Sequence, residues 1–214
     1  GRGNPYIQAA RRVVLNGSSE RIFRMAIWDI GAFTTDLAIL QFNVVDSSND
    51  GMFGCTQHSV PIGAYQGIEL PLFGYLKDLH GFDHAKLSAS LFTEVKKTVL
   101  AGKKYAYRTS ELGDSDDQEV IGAVLENFVT DIWSQVKNLI GSETIHSTYL
   151  TGGVANIPRV AEILRKHIPN LLVAGSPDSD EQLNLSKTYI IDWKEDGDAG
   201  VRRIATALGG CSFL

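Results

Sequence analysis

The sequence predicts an α/β fold, a mixed β-sheet carrying a mainly helical insertion. Three observations predict it. Two β-branched, apolar runs, at residues 22–30 and 34–45, flank a tight turn early in the chain. A central block, roughly residues 62–141, has helical periodicity almost throughout. A strand, a double-glycine turn and a helix then follow at residues 144–168, as a return to the sheet requires. The α/β core is therefore assigned to residues 1–66 and 142–214, and the inserted subdomain to residues 67–141.

Each element has its own warrant. "NPYIQAARRVVL" (4–15) reads as a helix, with Asn4 as cap and Pro5 in the first turn. Asn16 and Gly17 end it. "IFRMAIWDI" and "TTDLAILQFNVV" read as strands buried on at least one face, and "DSSNDG" as the turn before a third strand, "MFGCTQHSV" (52–60). In "PIGAYQGIELPLFGYLKDLHG" the helical spacing runs through Ile68, Leu72 and Leu76 and stops at Gly81. "AKLSASLFTEVKKTVLAG" is a second amphipathic helix, and "KKYAYRTSEL" (103–112) a strand. Residues 113–141 form a long helix whose acidic start suits the dipole. "TIHSTYL" is a strand, "TGGVANI" a turn, "PRVAEILRKHI" a helix and "LLVAG" a short strand. "PDSDEQLNLSK" is loop, and residues 197–210 form a last helix.

Bulk properties exclude several classes. The 214 residues suffice for a sizeable core, and 43% hydrophobic with 21% charged residues is ordinary globular composition. A net charge of -5 provides no basic field for nucleic acid or anionic membrane. Two cysteines, Cys55 and Cys211, make no disulfide framework, and a reducing, cytoplasmic setting is the simpler expectation. No apolar run is long enough for membrane insertion, and no signal segment opens the chain. The chain starts "GRGNPY" rather than with methionine, which suggests a processed or truncated piece, or residues left over from expression.

Two stretches carry chemistry. "WDIGAFTTDLAIL" (28–40) puts Asp29, Thr34, Thr35 and Asp36 around a hairpin turn. Such a turn can aim several backbone N–H groups at one anion, and a strand-end carboxylate can hold a hydrated metal ion beside phosphate. Equally, Thr and Asp simply stabilise turns. "YLTGGVANIP" (149–158) leads a strand through two glycines into a helix at Pro158. Glycines let a ligand approach the backbone, and a helix start offers unpaired N–H groups. A plain strand-to-helix turn has the same pattern. The Walker-type loop and the dinucleotide fingerprint are both absent.

In this order and separation the two stretches resemble the actin, sugar-kinase and seventy-kilodalton heat-shock superfamily of ATPases. Asp29, Gly31, Thr34 and Asp36 fit that family's second phosphate hairpin, D-x-G-x-x-T-x-D. Leu150, Gly152, Gly153, Ala155 and Pro158 fit its adenosine-binding turn. "NPYIQAA" is similar to the interdomain helix, with Asn4 at the place of its glutamate. Glu94 and Lys97 fit the E-x-x-K of an inserted helix near the nucleotide base. "VPIGAYQGI" resembles the glycine-containing link that follows the hairpin.

The resemblance implies a ribonuclease H-like, actin-like ATPase domain that binds ATP or ADP with Mg2+. It implies phosphate contacts from Gly31, Ala32, Phe33, Thr34 and Thr35. Asp29 and Asp36 become the catalytic carboxylates, Asp29 holding the metal through water. Gly152 and Gly153 approach ribose and adenine, while Glu94 and Lys97 flank the nucleoside. It covers only the second, C-terminal half of the family's fold; no other D-x-G-x-x-T occurs. The partner it implies is a first domain, with further protein partners or self-assembly beyond it. The chain alone is then expected to be inactive, whatever its parent does.

Departures from the family pattern support an alternative, a non-catalytic interaction or assembly module that keeps the fold. Ala32 and Phe33 stand where glycines are common, and a bulky residue at positive φ would be strained. Asn4 cannot act as a base, and Thr98 replaces a base-stacking arginine. A sugar or acetate kinase is a third reading. Other clusters are set aside. His80 and His84 are interrupted by Gly81 and read as surface residues, and Cys55 with His58 lacks two further ligands. "DSDDQE" reads as a helix cap, Lys96, Lys97, Lys103, Lys104 and Arg108 as a solvated face, and no nucleophilic triad can be assigned.

Overall fold

The computed structural model describes residues 22–43, 52–141, 144–169 and 171–173. Three strands open it: β1 (Ile22–Ile30), β2 (Thr35–Asn43) and β3 (Met52–Val60). A π-helical turn, Tyr65–Glu69, leads into α1 (Leu70–His80), and a 3-10 turn, His84–Lys86, precedes α2 (Ala89–Leu100). Short strands β4 (Tyr105–Tyr107) and β5 (Ser110–Leu112) come before the long helix α3 (Ser115–Ile140). Then follow β6 (Ser147–Thr151), a 3-10 turn (Gly153–Asn156), α4 (Pro158–His167) and β7 (Leu171–Val173). The helices expected at residues 4–15 and 197–210 lie outside the described residues.

The five-stranded sheet has the order β3-β2-β1-β6-β7. β1, β2 and β3 form an antiparallel meander, while β6 pairs parallel to β1 and β7 parallel to β6. The expected mixed sheet is therefore present. Its apolar alternation explains the register. Ala26, Trp28 and Ile30 of β1 share one buried cluster with Leu37 and Ile39 of β2, Val60 and Leu150, and that cluster continues into the helices. Phe23, Met25, Leu40 and Tyr149 are buried outside it, so both sheet faces are covered.

The helices follow from their apolar stripes and caps. Ile68, Leu72 and Leu76 are all buried. α3 buries Ile121, Leu125, Phe128, Val129, Ile132 and Val136 along one side. Its cap is Asp114, whose Oδ1 accepts from the N–H groups of Asp116 (3.1 Å) and Asp117 (3.0 Å), so "DSDDQE" does cap a helix. Two expectations are corrected. The second helix begins at Ala89 rather than Ala85, because the Ser88 hydroxyl takes the Leu91 N–H and caps it there. "KKYAYRTSEL" is two paired strands rather than one, reversing at Arg108, which adopts φ 55.

A buried polar cluster joins α1 to α3. Asp117 is fully buried; its Oδ1 shares a 2.9 Å hydrogen bond with His80 Nε2, and its Oδ2 accepts the Gly113 N–H at 2.7 Å. His80 is thus a partnered, largely covered residue and not a surface histidine. Burial first, and then the adjacent Asp117 carboxyl group, pushes the Tyr75 phenol above its ordinary value of 10.0. The raised value favours the neutral phenol in the folded state. Its stabilising contribution is therefore complete below pH 10.0 and lost as pH rises through the folded value. Alkaline denaturation should show it: Tyr75→Phe is expected to lose stability less steeply than wild type above that pH.

Candidate functional site

β1 and β2 end opposite one another at Ile30 and Thr35, leaving residues 31–34 as the turn. The Gly31 N–H donates to the Thr34 carbonyl at 2.9 Å and closes it. Phe33 has no positive φ, so the strain expected of a bulky residue there does not arise. Ala32 and Phe33 are exposed, and no acceptor among the described residues takes the N–H of Ala32, Phe33 or Thr34. Such a run of unpaired donors suits an anion.

The base of the turn is acidic. Asp29 and Asp36 sit directly across the two strands from each other. Like charges directly opposite one another repel, which gives this end of the hairpin its acidic character. Asp36 is exposed and accepts the Thr34 hydroxyl at 3.2 Å; Asp29 is half-buried. No group of three or more His, Cys, Asp or Glu side chains among the described residues could hold a metal ion.

The double-glycine turn meets the hairpin directly. β6 lies beside β1, with Thr151 next to Asp29. Gly152 follows at φ 84 and ψ -176, a conformation essentially reserved for glycine. A Cβ there would collide with Asp29 Oδ1 and lie 2.7 Å from the Ile30 carbonyl. Gly153, by contrast, is exposed and faces open space. The two turns therefore converge at one end of the sheet, with a 3-10 turn, Gly153–Asn156, between the glycines and α4.

A third segment closes the back of the hairpin, and sequence reasoning gave it little weight. The Ala64 N–H donates to the Gly31 carbonyl at 3.0 Å and the Tyr65 N–H to the Ala32 carbonyl at 2.7 Å. The Thr35 hydroxyl donates to the Ile62 carbonyl at 2.7 Å. Gly63 is packed so closely that a Cβ would strike the Ala32–Phe33 peptide. The Tyr65 ring tilts against Phe33, centroids 5.5 Å apart. The "PIGAY" stretch was the available signal.

Asp29, the residues from Gly31 to Asp36, Gly152 and Gly153 are thus brought together. Glu94 and Lys97 lie exposed on α2, and no hydrogen bond or ion pair among the described residues joins them to the hairpin. Their neighbour Lys96 bonds to Glu69 at 2.7 Å, tying α2 to the π-helical turn that begins at Tyr65.

No protein-family model matches the chain, and no curated protein sequence matches it. Solved structures do. The archaeal actin homolog Ta0583, native, is 20% identical with TM-score 0.50 over 86% of this chain and 55% of its own. A non-polymerisable quadruple mutant of pCBH ParM is 15% identical with TM-score 0.54 over 88% of this chain and 53% of its own. Ta0583 has also been solved in complex with ADP; that structure gives 19% identity and TM-score 0.49, over 86% of this chain and 56% of its own. The chain spans about half the length of the structures it matches. The fold is actin-like, an α/β, ribonuclease H-like arrangement of mixed sheet and helices.

Proposed function

We propose that this chain is the nucleotide-binding second domain of an actin-like ATPase. The observation that carries the reading is the packing of Gly152 against Asp29 and Ile30, which sets a donor-rich turn and an open glycine side by side. One ligand with an anionic end and a flat end fits such a pair. The N–H groups of Ala32, Phe33 and Thr34 bind the phosphates of ATP or ADP. Asp29 and Asp36 hold the waters of Mg2+, an ion that supplies charge neutralisation at the phosphates. Gly153 leaves room for ribose and base, and Glu94 and Lys97 flank the nucleoside. Residues 1–66 and 142–214 form the core subdomain and residues 67–141 the inserted one. A first domain of the same cytoplasmic protein supplies the opposite wall. Among the described residues no helix is long and apolar enough to cross a membrane.

The test is equilibrium binding of ADP, with and without Mg2+, to the intact protein containing this chain. Asp29→Ala should weaken the Mg2+-dependent part about ten-fold. Gly153→Val should block binding at a far smaller cost in stability than any substitution at Gly152, since Gly153 is exposed and a Cβ there meets nothing within 4 Å. The isolated chain should show no multiple-turnover phosphate release, because one wall cannot exclude water or complete the charge stabilisation. Turnover by the chain that Asp29→Ala abolishes would overturn the half-site reading.

One observation favours a second reading, a non-catalytic assembly module. Phe33 is 61% exposed and Tyr65 40%, an aromatic pair where the hairpin turn meets the link behind it. The ParM structure it is similar to is a mutant described as non-polymerisable, which makes self-assembly the relevant property to measure. Sedimentation of the intact protein with and without nucleotide separates the readings.

A further inference from the structure

We propose that Thr35 and Gly63 position the hairpin turn and touch no ligand, and that the 62–65 link sets the direction of the turn's N–H groups. The inference rests on reading that turn as the phosphate end of a nucleotide site. Thr35 is fully buried, and its one hydroxyl proton goes to the Ile62 carbonyl at 2.7 Å. It has no proton left for a phosphate oxygen. What it does is hold Ile62, and with it the start of the link, against the base of β2.

The link in turn grips the hairpin by its carbonyls. A peptide unit is planar and trans, so its N–H points opposite its C=O. The Gly31 carbonyl accepts from Ala64 at 3.0 Å, which fixes the Ala32 N–H on the far side of the same plane. The Ala32 carbonyl accepts from Tyr65 at 2.7 Å, which fixes the Phe33 N–H in the same way. Both donors are thereby turned away from the link and toward the open side. Gly63 allows this because its backbone lies against the Ala32–Phe33 peptide with no room for a Cβ. Donors fixed in advance stabilise an anion more than donors that must reorganise.

The experiment compares Thr35→Val, Thr35→Ser and Gly63→Ala in the intact protein. It measures ADP affinity by calorimetry and amide exchange residue by residue. Thr35→Val removes the donor and nearly keeps the shape; it should weaken ADP about ten-fold or more. It should also speed exchange at the Tyr65 N–H while the β6 amides stay protected. Thr35→Ser keeps the donor and should restore both. Gly63→Ala should match Thr35→Val; if it fails to fold, the Thr35 pair still decides. Unchanged ADP affinity in Thr35→Val overturns the proposal. So does a Thr35→Ser variant as weak as Thr35→Val, or a loss of protection spread over the whole sheet. A wild-type protein that binds no ADP overturns the nucleotide reading itself, and this inference with it.

Discussion

Gly152→Ala is expected to destabilise the fold by roughly 3–5 kcal/mol and to abolish nucleotide binding, whereas Gly153→Ala should change stability by less than about 0.5 kcal/mol. The two glycines are adjacent, yet their surroundings are opposite. At φ 84 and ψ -176 an alanine at 152 carries backbone strain by itself. Its Cβ would in addition overlap Asp29 Oδ1 and press on the Ile30 carbonyl at 2.7 Å and the Ile30 nitrogen at 3.0 Å. Neither Ile30 atom yields easily, because both belong to the backbone of β1, paired with Thr35 of β2 and directly preceded by Asp29, which is paired to both β2 and β6. The only relief is to part the double-glycine turn from the hairpin, which separates the two ends of the proposed site. Gly153 has no positive φ and open space at its Cβ, so alanine there adds neither strain nor overlap. Urea denaturation of the three proteins measures the difference, and ADP calorimetry measures the loss of binding. Equal stability of Gly152→Ala and Gly153→Ala would refute the packing argument.

Much of this arrangement is legible in the sequence, and the reasons are local. The spacing from Asp29 to Asp36 lands on strand, turn and strand because apolar alternation on either side fixes two strands and leaves four residues between them. Ile68, Leu72 and Leu76 identify the buried stripe of the first helix for the same reason, a period that burial enforces. Thr35 shares a strand face with Leu37 and Ile39, both buried, so alternation places its hydroxyl on the inner side of the strand. The family resemblance implies a phosphate contact for it, whereas the partner its hydroxyl has in the fold, the Ile62 carbonyl at 2.7 Å, lies on a segment 27 residues away that no period announces. What no sequence period encodes is the contact between segments far apart. The grip of Ala64 and Tyr65 on the turn is of this kind, and so is the collision that keeps residue 152 a glycine.

Phe33 is instructive because its conformation and its chemistry point to different conclusions. Glycine is common there in the family the motif resembles, and strain at positive φ is one of the reasons, beside Asn4 and Thr98, to expect a weakened site. The turn needs no positive φ at this position, so the phenylalanine is tolerated by the backbone. What it changes is the surface: an aromatic ring stands exposed beside the donors, resting on Tyr65. The side chain therefore bears on what surface the turn presents, and not on whether the turn forms.

Asp117→Ala is expected to lower stability by about 3 kcal/mol, a loss out of proportion to the few atoms removed. The residue lies on the apolar stripe of α3, four before Ile121 and eight before Leu125, although its acidic neighbours make it look like part of a solvated helix start. Its carboxyl group is fully buried and committed on both oxygens, to His80 Nε2 at 2.9 Å and to the Gly113 N–H at 2.7 Å. Truncation leaves the buried Gly113 N–H without an acceptor and His80 without its partner, and each carries a desolvation penalty that a hydrogen bond had offset. Gly113 links β5 to α3, and His80 ends α1, so the junction of three elements loosens together. Asp117→Asn keeps the shape and one acceptor oxygen but presents an N–H2 to the other partner, so about half the loss is expected. Guanidinium denaturation should show the midpoint falling in the order wild type, Asn, Ala with an unchanged slope, as a loss of stability without a change in exposed surface requires. His80→Ala should cost less than Asp117→Ala, since Gly113 keeps its acceptor. The reverse order would mean that the imidazole, and not the carboxyl group, organises this junction.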